Sequence, residues 1–252
     1  MKINKLFFPF YAYKQYKNLW DRVFVLEDAM KWMLRSPEYV ESDSAGFNGQ
    51  QFRKQIFQEL LELCKFEAVI ETGTYTGDTT GFMSQTSGLP VYTCELYQLF
   101  YDIARRRLSN ISGINFSLED SRKLLSKLAA NNVAEKKVFI YLDSHWYKDL
   151  PLKEEIELIS SNWKDFVIMI DDFKVPGDEG YTYDHYSKRK SLTNKVFGKI
   201  FLENNLTAFF PSAPSAQETG FRRGCVILAP AGSHCEEKLQ QASTLRYEAI
   251  KI

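Results

Sequence analysis

Hydrophobic positions along the chain follow two different periods, and the change comes near residue 65. Before that point apolar residues recur at helical spacing and predict an amphipathic helix over residues 49–64. A second helix is predicted over about 18–35, and the Gly- and Ser-containing stretch between the two helices predicts a loop. We therefore expect residues 1–65 to form a helical extension that acts as a lid or as an oligomer contact.

After residue 65, short apolar runs alternate with amphipathic stretches. Five of these runs predict strands: "AVIET", "VYTCE", "INFSLE", "KVFIYLD" and "FVIMIDD". Helical patterns follow the first four, with bounds predicted at about 78–87 after the first strand and 150–161 after the fourth. Strand–helix alternation at this spacing predicts a parallel sheet with helices on both faces. The nearly continuous apolar strands agree, because such strands are buried on both sides.

The C-terminal part of the chain departs from this alternation. A long loop over 172–187 leads to a helix predicted around 188–204, and two further strands follow, "LTAFF" and "GCVILA". Only the loop "PSAPSAQETGFRR" joins them, with no clear helix, so we expect antiparallel neighbours. Residues 66–252 are thus predicted to form one three-layer α/β/α domain with seven strands.

Composition and charge narrow the possible partners. Lys+Arg and Asp+Glu both number 32, so the chain lacks the basic excess that a nucleic-acid partner favours. The four cysteines are widely spaced and form no CxxC pair, which argues for a reducing, cytoplasmic setting and against a zinc site. No apolar stretch reaches the ~18 residues of a membrane span, so no transmembrane segment is expected.

Acidic residues follow all five of the predicted parallel strands. They are Glu71, Glu95, Asp120, Asp143 and the pair Asp171–Asp172. The C-terminal ends of parallel strands share one edge of a sheet, and ligands bind in the crevice there. We therefore expect these acids to converge on one cleft, although a single one can instead cap a helix. Asp120, ahead of "SRKLL", is the candidate for that second role.

The first strand runs into a turn with two glycines, "VIETGTYTG". Gly73 and Gly77 allow the backbone to bend sharply and a ligand to lie against it. The spacing E-x-G-x-x-x-G differs from the G-x-G-x-x-G of dinucleotide sites. A carboxylate at Glu71, two residues before the first glycine, favours an ammonium group over a phosphate.

Two later strand ends complete a nucleoside site. Glu95 is placed to accept hydrogen bonds from a ribose diol, and Asp120 and Ser121 are placed to accept from an exocyclic amine. Together with the ammonium site at Glu71, these positions describe a nucleoside that carries an amino acid.

With "ETGTYTG", "TCELY" and "LEDS", the chain resembles class I S-adenosylmethionine-dependent methyltransferases over about residues 66–230. The resemblance implies a Rossmann-like, mostly parallel sheet of seven strands with the last strand antiparallel, and S-adenosylmethionine as cofactor. The residues it implies for cofactor binding are Glu71, Gly73, Thr74, Tyr75, Gly77, Glu95, Leu96, Asp120, Ser121 and Asp143. Tyr75 departs from the pattern, because many members have glycine or another small residue there.

Three aspartates at neighbouring strand ends predict a metal site. Asp143 ends the fourth strand, Asp171 and Asp172 end the fifth, and adjacent strands lie ~4.8 Å apart. Oxygen ligands of this kind suit Mg²⁺ or another divalent cation. The alternative is that Asp172 starts a turn and Asp143 caps the segment after its strand. The arrangement is similar to that of metal-dependent O-methyltransferases of the catechol and sugar types, in which the ion binds two oxygens of the acceptor.

This second resemblance implies O-methylation of a small hydroxylated acceptor, a sugar, a polyol or a phenol, in a glycan or natural-product pathway. Candidate catalytic residues are His145, Lys148 and Asp143 itself. His145 comes first as the base, because the unperturbed pKa of histidine lies near neutrality.

Other functions stay open at this point. Glu95 would serve the ribose of NAD equally well, so an NAD-dependent Rossmann oxidoreductase is an alternative, against which the missing G-x-G-x-x-G argues. The chain could also be a non-catalytic methyltransferase-like assembly protein, with a homo-oligomer formed through the N-terminal helices. A metal-bearing, hydroxylase-like relative on the same fold is a further alternative.

Overall fold

The computed structural model describes residues 46–145, 149–188 and 190–250, together with the isolated positions 23 and 26. These three ranges belong to one compact unit, Asp43–Ile252. Apart from the two isolated positions, the helix predicted over 18–35 lies outside the described residues. Lys148 does so too. The division of the chain at residue 65 and the homo-oligomer stay predictions.

Seven α-helices lie within these described ranges. They are α1 (Gln51–Cys64), α2 (Asp78–Ser87), α3 (Gln98–Arg107), α4 (Ser121–Ala129), α5 (Leu152–Asn162), α6 (Asn194–Glu203) and α7 (His234–Gln241). The helices predicted over 49–64, 78–87 and 150–161 are confirmed to within two residues at each end. The helix predicted around 188–204 begins later, at Asn194, because residues before it form part of a β-hairpin.

The same ranges contain ten strands. They are β1 (Ala68–Thr72), β2 (Val91–Glu95), β3 (Ile114–Leu118), β4 (Val138–Leu142), β5 (Phe166–Ile170), β6 (His185–Ser187), β7 (Lys190–Ser191), β8 (Leu206–Pro211), β9 (Val226–Pro230) and β10 (Leu245–Tyr247). Strands β6 and β7 pair only with each other, as a small antiparallel hairpin within the loop that follows β5. The five predicted parallel strands are all confirmed.

Eight strands form the main sheet, in the order β3-β2-β1-β4-β5-β9-β8-β10. Strands β1 to β5 run parallel, while β9 is antiparallel to both β5 and β8, as the missing helix between β8 and β9 predicts. The predicted number of seven strands is wrong by one. The added strand, β10, pairs antiparallel with β8 at the sheet edge and is only three residues long, too short to show a period of its own.

The core lies on both faces of the central strands. Every residue of β1, β4 and β5 is buried, which explains their nearly continuous apolar sequence. On one face, Val138 and Ile140 of β4 pack in the same cluster as residues of α4 and α5. On the other, Phe139 packs in a cluster with Ile56 and Phe57 of α1. Helix α1 therefore belongs to the core of the α/β unit.

No helix within the described ranges combines the length and the apolar character needed to cross a bilayer.

Candidate active site

The turn after β1 needs its two glycines for close backbone and side-chain approach. Gly73 and Gly77 both have positive φ angles, 92° and 86°. A Cβ atom on Gly73 would lie 2.4 Å from the carbonyl oxygen of Asp143, so only glycine lets the turn pass the end of β4. A Cβ atom on Gly77 would lie 2.8 Å from Leu108 Cδ1, so this glycine lets α2 begin against the end of α3.

Glu71 lies beneath this turn with its carboxylate directed into the protein. Its side chain is 1% exposed, and Oε2 accepts hydrogen bonds from the hydroxyls of Thr80 and Thr93. Burial raises the pKa of Glu71 to about 7, against the lowering effect of the two hydroxyls. The carboxylate thus fixes the start of α2 to β2 from below the turn.

Glu95, at the end of β2, joins two turns at the same edge. Its Oε2 accepts from the backbone N–H of Tyr75 at 2.8 Å, and its Oε1 accepts from the N–H of Tyr97 at 2.8 Å. Burial raises the pKa of Glu95, and the backbone hydrogen bonds oppose that rise. Tyr75 itself adopts a left-handed conformation, φ 49°, and its ring packs 4.6 Å from that of Phe100. This conformation gives a physical reason for glycine at the position in the resembling family.

Five of the residues predicted to bind the cofactor line one cleft at the C-terminal ends of β1 to β4. They are Gly73, Glu95, Leu96, Asp120 and Ser121. Leu96 is 62% exposed there and offers an apolar surface beside the Glu95 carboxylate. The other predicted cofactor residues are Glu71, Thr74, Tyr75, Gly77 and Asp143. They surround the turn and the end of β4 and are absent from the described lining of this cleft.

Asp120 caps helix α4, the second role considered for it. Its Oδ1 accepts from the backbone N–H of Arg122 at 2.9 Å, and its Oδ2 lies 2.6 Å from Arg122 Nη2. The hydrogen bond from the Arg122 side chain lowers the pKa of Asp120. Next to it, Ser121 lies 3.3 Å, Oγ to Oγ, from Ser144, whose hydroxyl donates to the buried Glu155 at 2.7 Å. Sequence reasoning missed Glu155.

Beyond the cleft, Asp143, His145 and Asp172 form a group whose potential ligand atoms all lie within 4.8 Å of one another. His145 is 5% exposed, and neither of its ring nitrogens has a hydrogen-bond partner among the described residues. Burial raises the pKa of Asp143, and the charges of Asp171 and Asp172 raise it further. Burial and, to a smaller extent, the charge of Asp171 raise the pKa of Asp172 to about 7. Burial lowers the pKa of His145.

Asp171, predicted as a metal ligand, is engaged elsewhere. It forms an ion pair with Arg53 of α1, accepts from the hydroxyl of Tyr141 at 2.6 Å and accepts from Asn48 Nδ2 at 3.2 Å. Burial opposes its ionisation, yet the charge of Arg53 holds the pKa of Asp171 below its usual range. One sequence feature could have predicted that Arg53 forms a buried ion pair. It lies on α1 one turn before Phe57, and a charge on the apolar face of a helix requires a buried partner.

Further neighbours of this group come from the loop between β8 and β9 and from the segment that leads into the β6–β7 hairpin. Sequence reasoning did not find Arg223 or Asp184. Arg223, from the loop between β8 and β9, forms ion pairs with both Asp172 and Asp184. The hydroxyl of Tyr186 donates to the backbone carbonyl of His145 at 3.3 Å and also contacts Asp184. The hairpin is therefore held against the edge of the sheet that carries the group.

Solved structures resemble this fold. An O-methyltransferase from Bacillus cereus in complex with SAH superposes with a TM-score of 0.54 at 18% identity, over 71% of this chain and 81% of that one. The chain has the fold of class I S-adenosylmethionine-dependent methyltransferases. A putative O-methyltransferase from Klebsiella pneumoniae matches with a TM-score of 0.52 at 16% identity, over 81% of this chain and 94% of that one.

A third methyltransferase of this fold is TomG from Streptomyces achromogenes, solved in complex with SAM and involved in tomaymycin synthesis. It matches with a TM-score of 0.51 at 16% identity, over 71% of this chain and 80% of that one. No protein-family model and no curated protein matches the sequence. The likeness is thus one of fold, and within the methyltransferase fold the cleft beside Glu95 lies where a ligand is expected, at the C-terminal ends of the parallel strands.

Proposed function

We propose that the protein is an S-adenosylmethionine-dependent methyltransferase that methylates a hydroxyl of a small acceptor with the help of a divalent cation. The observation that carries the proposal is the contact between two sites at one sheet edge. Gly73 lines the cleft beside Glu95, and its backbone also packs against Asp143, which belongs to the candidate metal group.

The cleft residues fit the cofactor. The oxygens of Glu95 accept backbone hydrogen bonds from Tyr75 and Tyr97 in the structure, and a carboxylate has further lone pairs with which to accept from a ribose hydroxyl. Leu96 gives an exposed apolar surface for a flat ring, and Ser121 contributes a hydroxyl to the lining of the same cleft. The cofactor, when bound, supplies a methyl group activated by a sulfonium.

Asp143, His145 and Asp172 fit a divalent cation. Two carboxylates converge with an imidazole whose ring nitrogens have no hydrogen-bond partner within the described ranges. A cation would offset the crowding that raises the pKa values of both aspartates. Two oxygen ligands and one nitrogen ligand suit Mn²⁺ or Fe²⁺ better than Mg²⁺, which prefers an all-oxygen shell. We therefore propose Mn²⁺ as a second candidate for this site, in addition to the Mg²⁺ predicted from the sequence.

The cation, when bound, lowers the pKa of a hydroxyl that it coordinates, which makes the acceptor a better nucleophile. The chain's own residues hold the reactants and take the proton. Asp143 and Asp172 would hold the ion, and the β6–β7 hairpin contacts this edge through the hydrogen bond from the Tyr186 hydroxyl to the backbone carbonyl of His145. If His145 binds the ion through one ring nitrogen, the proton goes to Asp143 or to Lys148, the other predicted bases.

The acceptor is proposed to be a sugar, a polyol or a phenol. Support comes from the metal group, because a divalent cation in such a site binds oxygen atoms of the substrate. TomG, one of the matched structures, is involved in tomaymycin synthesis, which supports a role in natural-product chemistry.

Calorimetry with separate titrations tests this function. We expect the wild-type chain to bind S-adenosylhomocysteine and, independently, Mn²⁺. Asp143→Ala should abolish Mn²⁺ binding and methyl transfer but leave nucleoside binding largely intact, whereas Asp102→Ala, an exposed acid on α3, should change neither. Absence of nucleoside binding by the folded wild-type chain would overturn the proposal, and an NADH titration gives the matched control for the oxidoreductase alternative.

A further inference from the structure

A second pocket lies between the β6–β7 hairpin and the start of α6, and its walls are basic. Its volume is about 590 Å³, and it shares no lining residue with the cleft beside Glu95. Three lysines line it: Lys174 after β5, Lys188 in the turn of the hairpin and Lys195 in the first turn of α6.

The pocket also presents hydrogen-bond donors other than lysine. The hydroxyls of Ser191 and Thr193 belong to its lining. Thr193 is the N-cap residue of α6, but its side chain makes no capping hydrogen bond to the helix. The positive end of the ten-residue helix α6 thus faces the pocket without a side-chain cap, and such a helix start attracts anions.

Counter-charges among the residues that the structure describes offset only part of this positive charge. Lys174 pairs at 3.1 Å with Glu179, whose side chain is 80% exposed. Glu248 also lines the pocket, and it pairs at 2.6 Å with Arg246. Among the described residues, neither Lys188 nor Lys195 has an ion-pair partner. The pocket therefore keeps an excess of positive charge over Glu248.

Ring surfaces and size indicate what accompanies the anion. Tyr183 and His185 line the pocket, and Lys174 Nζ lies 5.4 Å from the centre of the Tyr183 ring. A volume of 590 Å³ is in the range of small-molecule sites and exceeds the needs of a lone inorganic ion. Rings of this kind pack against the faces of sugars or bases.

Alternate residues over 183–186, at the start of the hairpin, face two different sites. Tyr183 and His185 line the basic pocket, while the alternate residues Asp184 and Tyr186 contact Arg223 and His145 beside the candidate metal group. A ligand in the pocket would therefore brace the strand whose other face contacts the metal group.

We propose that this pocket binds the phosphate group of a small phosphorylated sugar. The three lysines, the two hydroxyls and the start of α6 bind the phosphate, and Tyr183 and His185 pack against the sugar ring. The proposal concerns a site separate from the nucleoside cleft and does not depend on methyl transfer.

Calorimetry on the full chain without cofactor or metal tests the site, with glucose 1-phosphate as the probe at low ionic strength. Lys188→Gln and Lys195→Gln should each weaken its binding roughly tenfold, the scale of one lost charge-assisted hydrogen bond, and the double variant more. Lys199→Gln is the matched control, since Lys199 lies on the same helix, outside the pocket, and pairs with Glu203 at 3.5 Å. All three positions are exposed, so thermal melts should be unchanged.

Titrations with two further ligands, glucose and inorganic phosphate, test the phosphate site and the sugar site separately. Glucose should bind far more weakly than glucose 1-phosphate, because the pocket recognises the phosphate. Inorganic phosphate should bind more weakly than glucose 1-phosphate, because Tyr183 and His185 contribute to sugar binding. Equal binding of inorganic phosphate would overturn the assignment of a sugar ligand. Unchanged affinity in the Lys188→Gln/Lys195→Gln double variant would overturn the site itself. Neither result bears on nucleoside binding, which is measured separately.

Discussion

Arg53 of helix α1 forms an ion pair with Asp171 at the end of β5, and both side chains are only 1% exposed. The same guanidinium donates to the backbone carbonyl of Arg223, whose own side chain forms an ion pair with Asp172. A helix that the sequence assigns to an N-terminal extension is thus fixed to the sheet edge that carries the candidate metal group. The pair also explains why Asp171 lies outside that group.

Removing one partner of this pair should destabilise the fold strongly. Arg53→Met leaves the Asp171 carboxylate buried without its cation, so we expect the free energy of unfolding to fall by about 3–5 kcal/mol in urea titrations. The double variant Arg53→Met/Asp171→Leu removes both charges and should lose less than Arg53→Met alone. Lys153→Met, at an exposed pair with Glu157, should stay within about 0.5 kcal/mol of wild type. An Arg53→Met midpoint equal to that of wild type would contradict this account.

Substitution of Gly73 should lower the free energy of unfolding by more than its positive φ angle alone explains. In Gly73→Ala the new Cβ would meet the carbonyl oxygen of Asp143 at 2.4 Å, and backbone cannot easily give way. Gly88→Ala is the matched control, because Gly88 also has a positive φ, 64°, but a Cβ added there would have nothing within 4 Å. We expect about 1 kcal/mol of destabilisation for Gly88→Ala and at least twice that for Gly73→Ala, with reduced nucleoside binding. Equal losses in chemical denaturation would show that β4 does not confine the turn.

Glu95 should matter for nucleoside affinity beyond its contribution to the fold. Glu95→Ala should weaken S-adenosylhomocysteine binding by roughly 1.5–3 kcal/mol, the value of a hydrogen bond to a charged group. Glu95→Gln should lose less, because an amide oxygen can still accept from the N–H of Tyr75 or of Tyr97. Glu119→Gln, an acid in the lining of the same cleft, should bind as wild type does. Unchanged calorimetric affinity in Glu95→Ala would mean that its carboxylate serves the two turns only.

The parallel part of the fold is predictable from the sequence because burial on both faces leaves a strong pattern. Strands β1, β4 and β5 are apolar at nearly every position, and the helix over 78–87 is bounded by Gly77 and Gly88. Strands β6, β7 and β10 are each only two or three residues long, so none of them shows a hydrophobic period in the sequence. Pairing with a partner strand, and not local preference, determines these short strands: β10 pairs with β8, and β6 pairs with β7 across a short turn.

The candidate site is predictable in place but not in detail. Topology alone brings acids at parallel strand ends to one edge, as predicted. The partner that each carboxylate meets depends on tertiary contacts. Asp171 is paired with Arg53, Glu71 with Thr80 and Thr93, and His145 lies with Asp143 and Asp172. The strand register reveals neither the direction of a side chain nor the residues that reach it from another element.

The buried Glu71 carboxyl should give the protein a measurable pH dependence. Its pKa is raised by burial from 4.5 to about 7, so the folded state disfavours the ionised form. Below pH 4.5 the group is protonated in both states and its full contribution is present. As the pH rises, the unfolded chain ionises first, so stability falls between about pH 4.5 and pH 7, by at most about 3 kcal/mol from this group.

Glu71→Gln isolates this effect because an amide does not titrate and its oxygen can still accept from Thr93. We expect the unfolding free energy of Glu71→Gln, relative to that of wild type, to rise between pH 4.5 and pH 7 and to level off above pH 7. Urea titrations at intervals of half a pH unit measure that difference directly. Glu154→Gln, at an exposed position on α5, should give a much smaller change over the same range. A constant difference between Glu71→Gln and wild type would mean that Glu71 ionises as readily in the folded protein as in the unfolded chain.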